Sequence, residues 1–471
     1  MNQKSKTIKN IIAVTLSNLT TIVSGVLIGF LLPKIFSIAD YGFYKTFTLY
    51  TNYLGLISIG IIDGIVLEYG NYDYEQLDSY KFRGFFKWYL FVHVTACVLI
   101  LCASIFFNDS DYTFIIIALA INAISVNVTG YYQQISQITQ RFRELSIRKV
   151  LQSISNILLV LILFFVSIKY EVVNYKIYII FYILICSLLT LWYFYTYRKI
   201  TFGKGATLKE TKSDVFHLIK IGFPLMFANL CSTLILTLDR QFVNILFPNN
   251  EYAVYAFAYN MLSLVTIVTS AISTVIYPIL KRTTKETLVK NYSSLISIMH
   301  IFVFGALVVY FPLKVFITWF LPNYIGAINI FRIIFPGLAI SSSITVIMHN
   351  YYKTLGKNNN YFKKSIVILI ISAIANGIAY LIFKTTVSIS IASIIVMIIW
   401  YLYVEHFFVK EYNYSRWRNL VYMILTIILF YLVTFIENPI ISGLIYFVLY
   451  SLLTIVMHKN SLKTAKEILK K

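Results

Sequence analysis

Apolar runs of twenty or so residues recur from one end of this chain to the other, too many and too long for a soluble core. A run of about 20 apolar residues crosses the hydrocarbon of a bilayer as one helix, at about 1.5 Å rise per residue. In lipid every backbone N–H and C=O must be satisfied within the segment, so such a chain is confined to a bundle of helices. We place fourteen spans, at 11–33, 43–66, 85–107, 113–135, 149–168, 176–197, 217–246, 252–280, 292–313, 325–352, 363–383, 386–405, 418–436 and 439–458. Composition agrees, since 59% of the 471 residues are hydrophobic and only 13% are charged. That charged share is about half the usual one for soluble domains. The expected fold is an all-α polytopic membrane protein.

The net charge of +21 would suggest nucleic acid in a soluble chain. Here Lys and Arg fall in alternate loops: Arg141, Arg143, Arg148 and Lys149; Arg198, Lys199, Lys204, Lys209 and Lys212; Lys281, Arg282, Lys285 and Lys290; Lys353, Lys357, Lys363 and Lys364; Arg416 and Arg418; and Lys459 to Lys471. The intervening loops at 108–111, 247–250 and 437–439 carry no Lys or Arg. This is the positive-inside pattern, and it predicts both termini in the cytoplasm, an even number of spans and no nucleic-acid partner. Lys4, Lys6 and Lys9 precede an apolar run longer than a signal-peptide core, which reads as an uncleaved first span.

The chain is organised around the stretch Gly222 to Tyr259 and an earlier stretch that resembles it. Asn18-Leu19 matches Asn229-Leu230, Phe36 matches Phe247, Tyr41 matches Tyr252 and Tyr44 matches Tyr255, each pair 211 residues apart. Two related halves with a site at their interface are a common plan for transporters. We therefore divide the chain into a six-helix lobe at 1–197, a basic cytoplasmic loop at 198–216, a second six-helix lobe at 217–406, and two further helices with a basic tail at 407–471.

Equipment for bond-making chemistry is missing from the sequence. Cys97, Cys102, Cys186 and Cys231 show neither metal-ligand spacing nor a disulfide framework. There is no Walker A, HExxH or GxSxG motif, and no loop large enough for a soluble domain. The expectation is a protein that is not an enzyme and holds no metal or organic cofactor, with H⁺ or Na⁺ as the only coupling ligand to consider.

Charge at bilayer depth costs about 2.5–3.5 kcal/mol on insertion scales, so intramembrane ionisable residues are the first functional candidates. Asp239 and Arg240 lie together in the seventh span. The Arg240 guanidinium suits a phosphate or diphosphate, because it donates as a planar fork; the alternative is a structural ion pair. Asp239 points about 100° away from it on a helix, toward a cation on a neighbouring helix or an ion-coupling role. Lys45 and Arg332 sit near the external interface, where lining a cavity competes with snorkelling outward. Asp63, toward the cytoplasmic end of the second span, is a proton or cation candidate. Asn18 and Asn229, at matching repeat positions with Ser17, Thr20, Thr21 and Ser232 near them, suit sugar hydroxyls or interhelical hydrogen bonds. Pro224 and the Pro336-Gly337 pair are hinge candidates, or simple bends. His93, His300 and His349 read as packing residues.

The hairpins FLLPKIFSIADYGFYKTF at 30–47 and LDRQFVNILFPNNEYAVYAFA at 238–258, with the acidic-Tyr-small-x-Tyr pattern after a span and Asp-Arg inside the seventh, resemble the bacterial polysaccharide (O-antigen and capsule) flippase family. That family belongs to the multidrug/oligosaccharidyl-lipid/polysaccharide exporter superfamily. The resemblance covers nearly the whole chain. It implies two pseudo-symmetric six-helix lobes in a V around a cationic cavity, plus two C-terminal helices that offer a groove for a lipid tail. It also implies an undecaprenyl-diphosphate-linked glycan as cargo, moved outward across a bacterial cytoplasmic membrane by alternating access. Membrane lipids and other polysaccharide-assembly membrane proteins are its implied partners. Lipid II flippases of the superfamily carry arginines on the first helix; this chain has none there. The rival readings are a cation-coupled drug exporter of the same superfamily and a membrane glycan polymerase or ligase. The second would want a large external loop with catalytic residues, and none is present.

Overall fold

The computed structural model describes residues 3–70, 72–169, 173–281 and 283–469. Within them the side chains of 3–12, of much of 263–281 and of 460–469 are outside the described residues, and with them fall Lys4, Lys6, Lys9, Lys281, Arg282 and the tail beyond Lys459. Every regular element among the described residues is a helix. Twelve are long and apolar enough to cross a membrane, or thirteen when a bent pair counts as one span. The helix Asn249–Lys281, whose side chains are only partly described, is a further 33 residues long.

Two compact units divide the chain, one at Met1–Thr233 and the other at Leu234–Lys471. The first holds α1 (Gln3–Ile35), α2 (Ile38–Thr51), α3 (Ile61–Tyr69), α4 (Ser79–Ser104), α5 (Ser110–Ile138), α6 (Phe142–Lys169), α7 (Tyr175–Thr196) and a single turn, α8 (Arg198–Thr201). α9 (Leu208–Leu246) begins in the first unit and ends in the second. The stretch 198–216 is thus largely helical rather than a loop.

The second unit continues with α10 (Asn249–Lys281), α11 (Lys285–Gly305), α12 (Tyr310–Phe320), α13 (Ile325–Ser342), α14 (His349–Thr354), α15 (Asn358–Phe383), α16 (Thr386–Tyr412), α17 (Trp417–Thr434) and α18 (Pro439–Leu469). The repeat is visible in the backbone. α1 and α9 end at Ile35 and Leu246, and α2 and α10 begin at Ile38 and Asn249; both pairs are 211 residues apart.

Local chemistry sets the ends of these helices. Side chains of Ser37, Asp78, Asp109 and Asn174 accept from first-turn N–H groups of α2, α4, α5 and α7, meeting donors that a helix leaves orphaned. Inside the first unit α5 packs against α4, α7 and α2, and α1 lies on α6. Its core is aromatic, with Phe82, Phe85, Phe86, Tyr89, Tyr131, Tyr132, Tyr193 and Tyr197 buried together. Buried phenols need partners. Tyr132 pairs with Thr201 at 2.7 Å and Tyr197 with Ser136 at 2.6 Å. Apolar side chains gain little by leaving lipid for protein, so such contacts and close packing carry much of the association between helices.

One close contact in this unit uses no side chains. A Cβ on Gly222 would lie 2.1 Å from the Gly60 carbonyl oxygen and 2.3 Å from the Gly64 nitrogen. One on Gly64 would lie 2.2 Å from the carbonyl oxygen of Leu218. The start of α3 and the middle of α9 therefore touch backbone to backbone. Exposed pairs flank the seam, Lys81–Asp214 at 2.9 Å and His217–Glu68 at 3.8 Å; ion pairs in such settings contribute little.

Two helix features differ from expectation. The second span, read as one helix over 43–66, is broken, as described below. Pro336 and Gly337 do not interrupt their helix: α13 runs through both to Ser342, and the irregular part follows as a π-helical turn at Ser343–Met348. Gly337 is explained by packing, since a Cβ there would lie 2.6 Å from Ile394 and 2.7 Å from Met397 of α16. Pro224 likewise lies inside an unbroken α9.

Candidate functional site

The second span is broken beside a cavity of the first unit. α2 stops at Thr51, a short turn of 3₁₀ helix covers Leu54–Ser58, and α3 resumes at Ile61. The two pieces are bent by 60°. Ile59 and Gly60 make the corner with φ of 50° and 82°. Glycine enters this left-handed region freely, but a β-branched residue there carries strain of about 1–3 kcal/mol. Strained corners of this kind cluster at functional sites.

A broken helix frees carbonyls that lipid cannot satisfy, so it is tolerated only against protein or a wet cavity. Both conditions hold here. Asn127 of α5 donates from Nδ2 to the Leu54 carbonyl at 2.9 Å, and Tyr89 of α4 donates to the backbone carbonyl of Asn127 at 3.0 Å. Beside this brace lies a cavity of 270 Å³. The break lines it with Asn52, Ser58 and Asp63, α5 with Asn127 and Gln134, and α9 with Asn229, Thr233 and the apolar Met226 and Leu230. Amides, hydroxyls and one carboxylate around a tyrosine suit a polyhydroxylated ligand or a cation. Replacing Asn127 with leucine is expected to lower stability by about 1–3 kcal/mol, the cost of an unpaired buried carbonyl. Thermal unfolding of purified protein measures this, and an unchanged Tm would contradict the bracing role.

Of the residues singled out from sequence, Asp63 and Asn229 meet in this cavity. Asn18 is exposed on α1. Its neighbours are spent locally: Ser17 and Thr20 bond backbone carbonyls of their own helix, and Thr21 reaches Ser153 of α6 at 3.2 Å. Lys45 is half-buried, with its ammonium 5.3 and 5.5 Å from the ring centres of Tyr41 and Tyr44. Arg332 donates to Asn329 at 2.8 Å and lies 5.4 Å from the ring of Phe435, just beyond α17. It is thus turned toward the C-terminal helices of its unit.

Asp239 and Arg240 form a second centre, in the second unit. Asp239 is buried, and its Oδ2 accepts from Tyr255 at 2.9 Å and from Tyr259, both on α10. Its Oδ1 accepts the Arg240 backbone N–H at 2.8 Å. The Arg240 guanidinium lies 4.6 Å from the Tyr259 ring centre and donates from Nη2 to the Leu236 carbonyl at 2.7 Å. Its Nε is buried and makes no hydrogen bond. The two charges are therefore linked through Tyr259, one at its hydroxyl and the other at its ring, and no salt bridge joins them among the described residues. An arginine with donors to spare, held over an aromatic face, is suited to accept an anion.

Sequence reasoning missed the break, Asn127, Gln134 and Tyr89. A signal for the break was present in the run Asn52 to Gly60, where two glycines and a polar end interrupt an apolar span. Nothing local shows that α5 packs there.

The model of the polysaccharide biosynthesis protein family matches residues 7–284. The chain belongs to this family. The match runs through the break, its cavity, and Asp239 and Arg240. Among solved structures, this chain is similar to the lipid II flippase MurJ in an inward closed conformation. That likeness has a TM-score of 0.71 at 15% identity and covers 96% of this chain and 99% of the other. It is also similar to an inward-facing multidrug resistance MATE family transporter of the MOP superfamily. Here the TM-score is 0.64 at 14% identity, with 85% and 96% covered. At these identities the likeness is one of fold, and the fold is that of multi-pass membrane transporters and flippases. No curated protein matches the chain in sequence.

Proposed function

We propose that this protein is a flippase that moves an undecaprenyl-diphosphate-linked oligosaccharide from the cytoplasmic to the external leaflet of a bacterial cytoplasmic membrane. The observation that carries this reading is the family match over 278 residues, 7–284, which takes in both polar centres. The physical need is plain. A diphosphate-sugar head cannot cross hydrocarbon unaided, because its charges and hydroxyls would lose water without replacement. The cavity at the broken span offers amides and hydroxyls for sugars, and Arg240 offers a partly unpaired guanidinium for the diphosphate. The lipid tail has no need to leave the bilayer. An inside-negative potential favours outward movement of an anion; at about 2.3 kcal/mol per charge per 100 mV, two charges give roughly 4–5 kcal/mol. Ion coupling, with Asp239 or Asp63 binding H⁺ or Na⁺, would add to this drive.

The test is flipping of a fluorescent undecaprenyl-diphosphate oligosaccharide in proteoliposomes, with and without an inside-negative potential. The wild type is expected to flip in a potential-dependent way. Arg240→Ala is expected to lose at least tenfold in rate while folding normally. Asp63 in the cavity favours one second reading, an exporter of organic cations. Efflux of such cations with no flipping of any lipid-linked sugar would establish that reading instead.

A further inference from the structure

A separate buried polar group in the second unit includes His300, read from sequence as a packing residue, and no residue of the two centres above. Glu405 of α16 is 0% exposed. Its Oε1 accepts from Tyr401 at 2.9 Å and from Tyr414, in the link between α16 and α17. Its Oε2 is buried and has no hydrogen-bond partner. His300 of α11 is also 0% exposed; its ring lies 5.6 Å from that of Tyr401, and neither ring nitrogen has a partner. The same is true of both ring nitrogens of His458, at the kink in α18 where φ is −127° and ψ 29°. Its ring stands against Tyr422 of α17 at 4.5 Å.

The other titratable and charged groups facing this set are few. Tyr292 of α11 packs on Tyr414 with 5.2 Å between ring centres. Arg416 is the cation whose field reaches Glu405, and Arg418 the one that reaches His458. No salt bridge to Glu405 is present among the described residues.

Unpaired buried hydroxyls and amides occur elsewhere in the chain, but a buried carboxylate with a free oxygen and no cation in salt-bridge contact is costlier to keep. Here three titratable side chains on three helices are sealed off, with five of their polar atoms unpaired. Ionisable groups within a membrane bundle are retained for a function more often than for stability. The chemistry of the set narrows what it binds. Imidazoles are poor ligands for Na⁺, and no group of three His, Cys, Asp or Glu residues able to hold a metal is present among the described residues. What a carboxylate and two imidazoles share is affinity for a proton.

We propose that Glu405, held by Tyr401 and Tyr414 and reached by His300 through the Tyr401 ring, forms a proton-binding site in the second unit. When Glu405 is ionised, Oε1 holds two phenol O–H groups in charge-assisted hydrogen bonds. Protonation removes the charge that strengthens them. Tyr414 then loosens its hold on α16, and the link to α17 is freed. The site is independent of the cargo, and its test reads no transport.

The experiment is infrared difference spectroscopy of the full chain in lipid, titrated from alkaline to acidic pH. The wild type is expected to gain a protonated-carboxyl band that is missing in Glu405→Gln. Tyr414→Phe removes a donor that favours the ionised form, so the midpoint of that band is expected to rise by about one to two pH units. This second variant keeps the test decisive should Glu405→Gln fail to fold. A band that persists unchanged in Glu405→Gln, a wild type with no titrating carboxyl band, or a midpoint unmoved in Tyr414→Phe would overturn the proposal. Flipping could fail in the proteoliposome assay while this titration held, and the reverse, so the two proposals stand or fall separately.

Discussion

Leucine in place of Gly222 is expected to abolish the accumulation of folded protein. The atoms that a side chain would strike are the Gly60 carbonyl oxygen and the Gly64 nitrogen, at 2.1 and 2.3 Å from the new Cβ. Both belong to the main chain, so no rotamer change makes room. Relief would require α3 to move off α9, which would disturb the cavity between them. Overpacking usually costs about 1–3 kcal/mol and more when only backbone can yield; native proteins have about 5–15 kcal/mol in total. Gly64→Ala should show a smaller loss of the same kind, because its Cβ would press on the Leu218 carbonyl at 2.2 Å. Gly25→Ala is the control. Nothing lies within 4 Å of a Cβ there, and alanine in a helix should be neutral or stabilising by up to about 1 kcal/mol. Yield and Tm of the three purified variants read out the order. If Gly222→Leu matched the control, the backbone contact would be disproved.

The second large effect is expected at Asp239. Replacing it with leucine would leave the hydroxyls of Tyr255 and Tyr259 buried without their acceptor and would remove the negative charge nearest Arg240. Each orphaned donor costs about 1–3 kcal/mol. Asp239→Leu should therefore unfold or fail to insert. Asp239→Asn keeps an acceptor for the phenols but gives up the charge, so it should fold with a Tm depressed by a smaller amount. Tyr255→Phe with Tyr259→Phe should partly rescue Asp239→Leu, because the donors that lost their acceptor are then gone. Absence of rescue would show that the tyrosines matter only as packing.

Much of the architecture was legible because a bilayer imposes length and apolarity on every span. The repeat was legible because the turn between α1 and α2 and that between α9 and α10 keep the same spacing of Phe36, Tyr41 and Tyr44 and of Phe247, Tyr252 and Tyr255. Asp239 and Arg240 stood out because charge is rare at such depth. The partners of these residues were not legible. Tyr255 was visible as the counterpart of Tyr44, yet Tyr44 packs against Tyr178 and Phe36, with ring centres at 5.3 and 6.2 Å. The position matching Asp239 in the first half is Ile28, which has nothing to offer a phenol. Tyr255 alone of the two meets a carboxylate. The broken second span was hidden because hydropathy averages over a window, whereas two residues, Ile59 and Gly60, make the corner. Asn127 was hidden because its partner carbonyl lies 73 positions away, brought close only by packing.

The break also unbalances the two halves. Gly60 matches Ala271 at the interval of the repeat, and there α10 runs on as a single helix of 33 residues. One copy of the hairpin is thus bent by 60° at a polar corner, while the other is a continuous helix. The two copies also differ in chemistry, with amides and hydroxyls at the corner of the first and a carboxylate and a guanidinium before the second. The duplication has thus kept the spacing of the hairpin and not its chemistry.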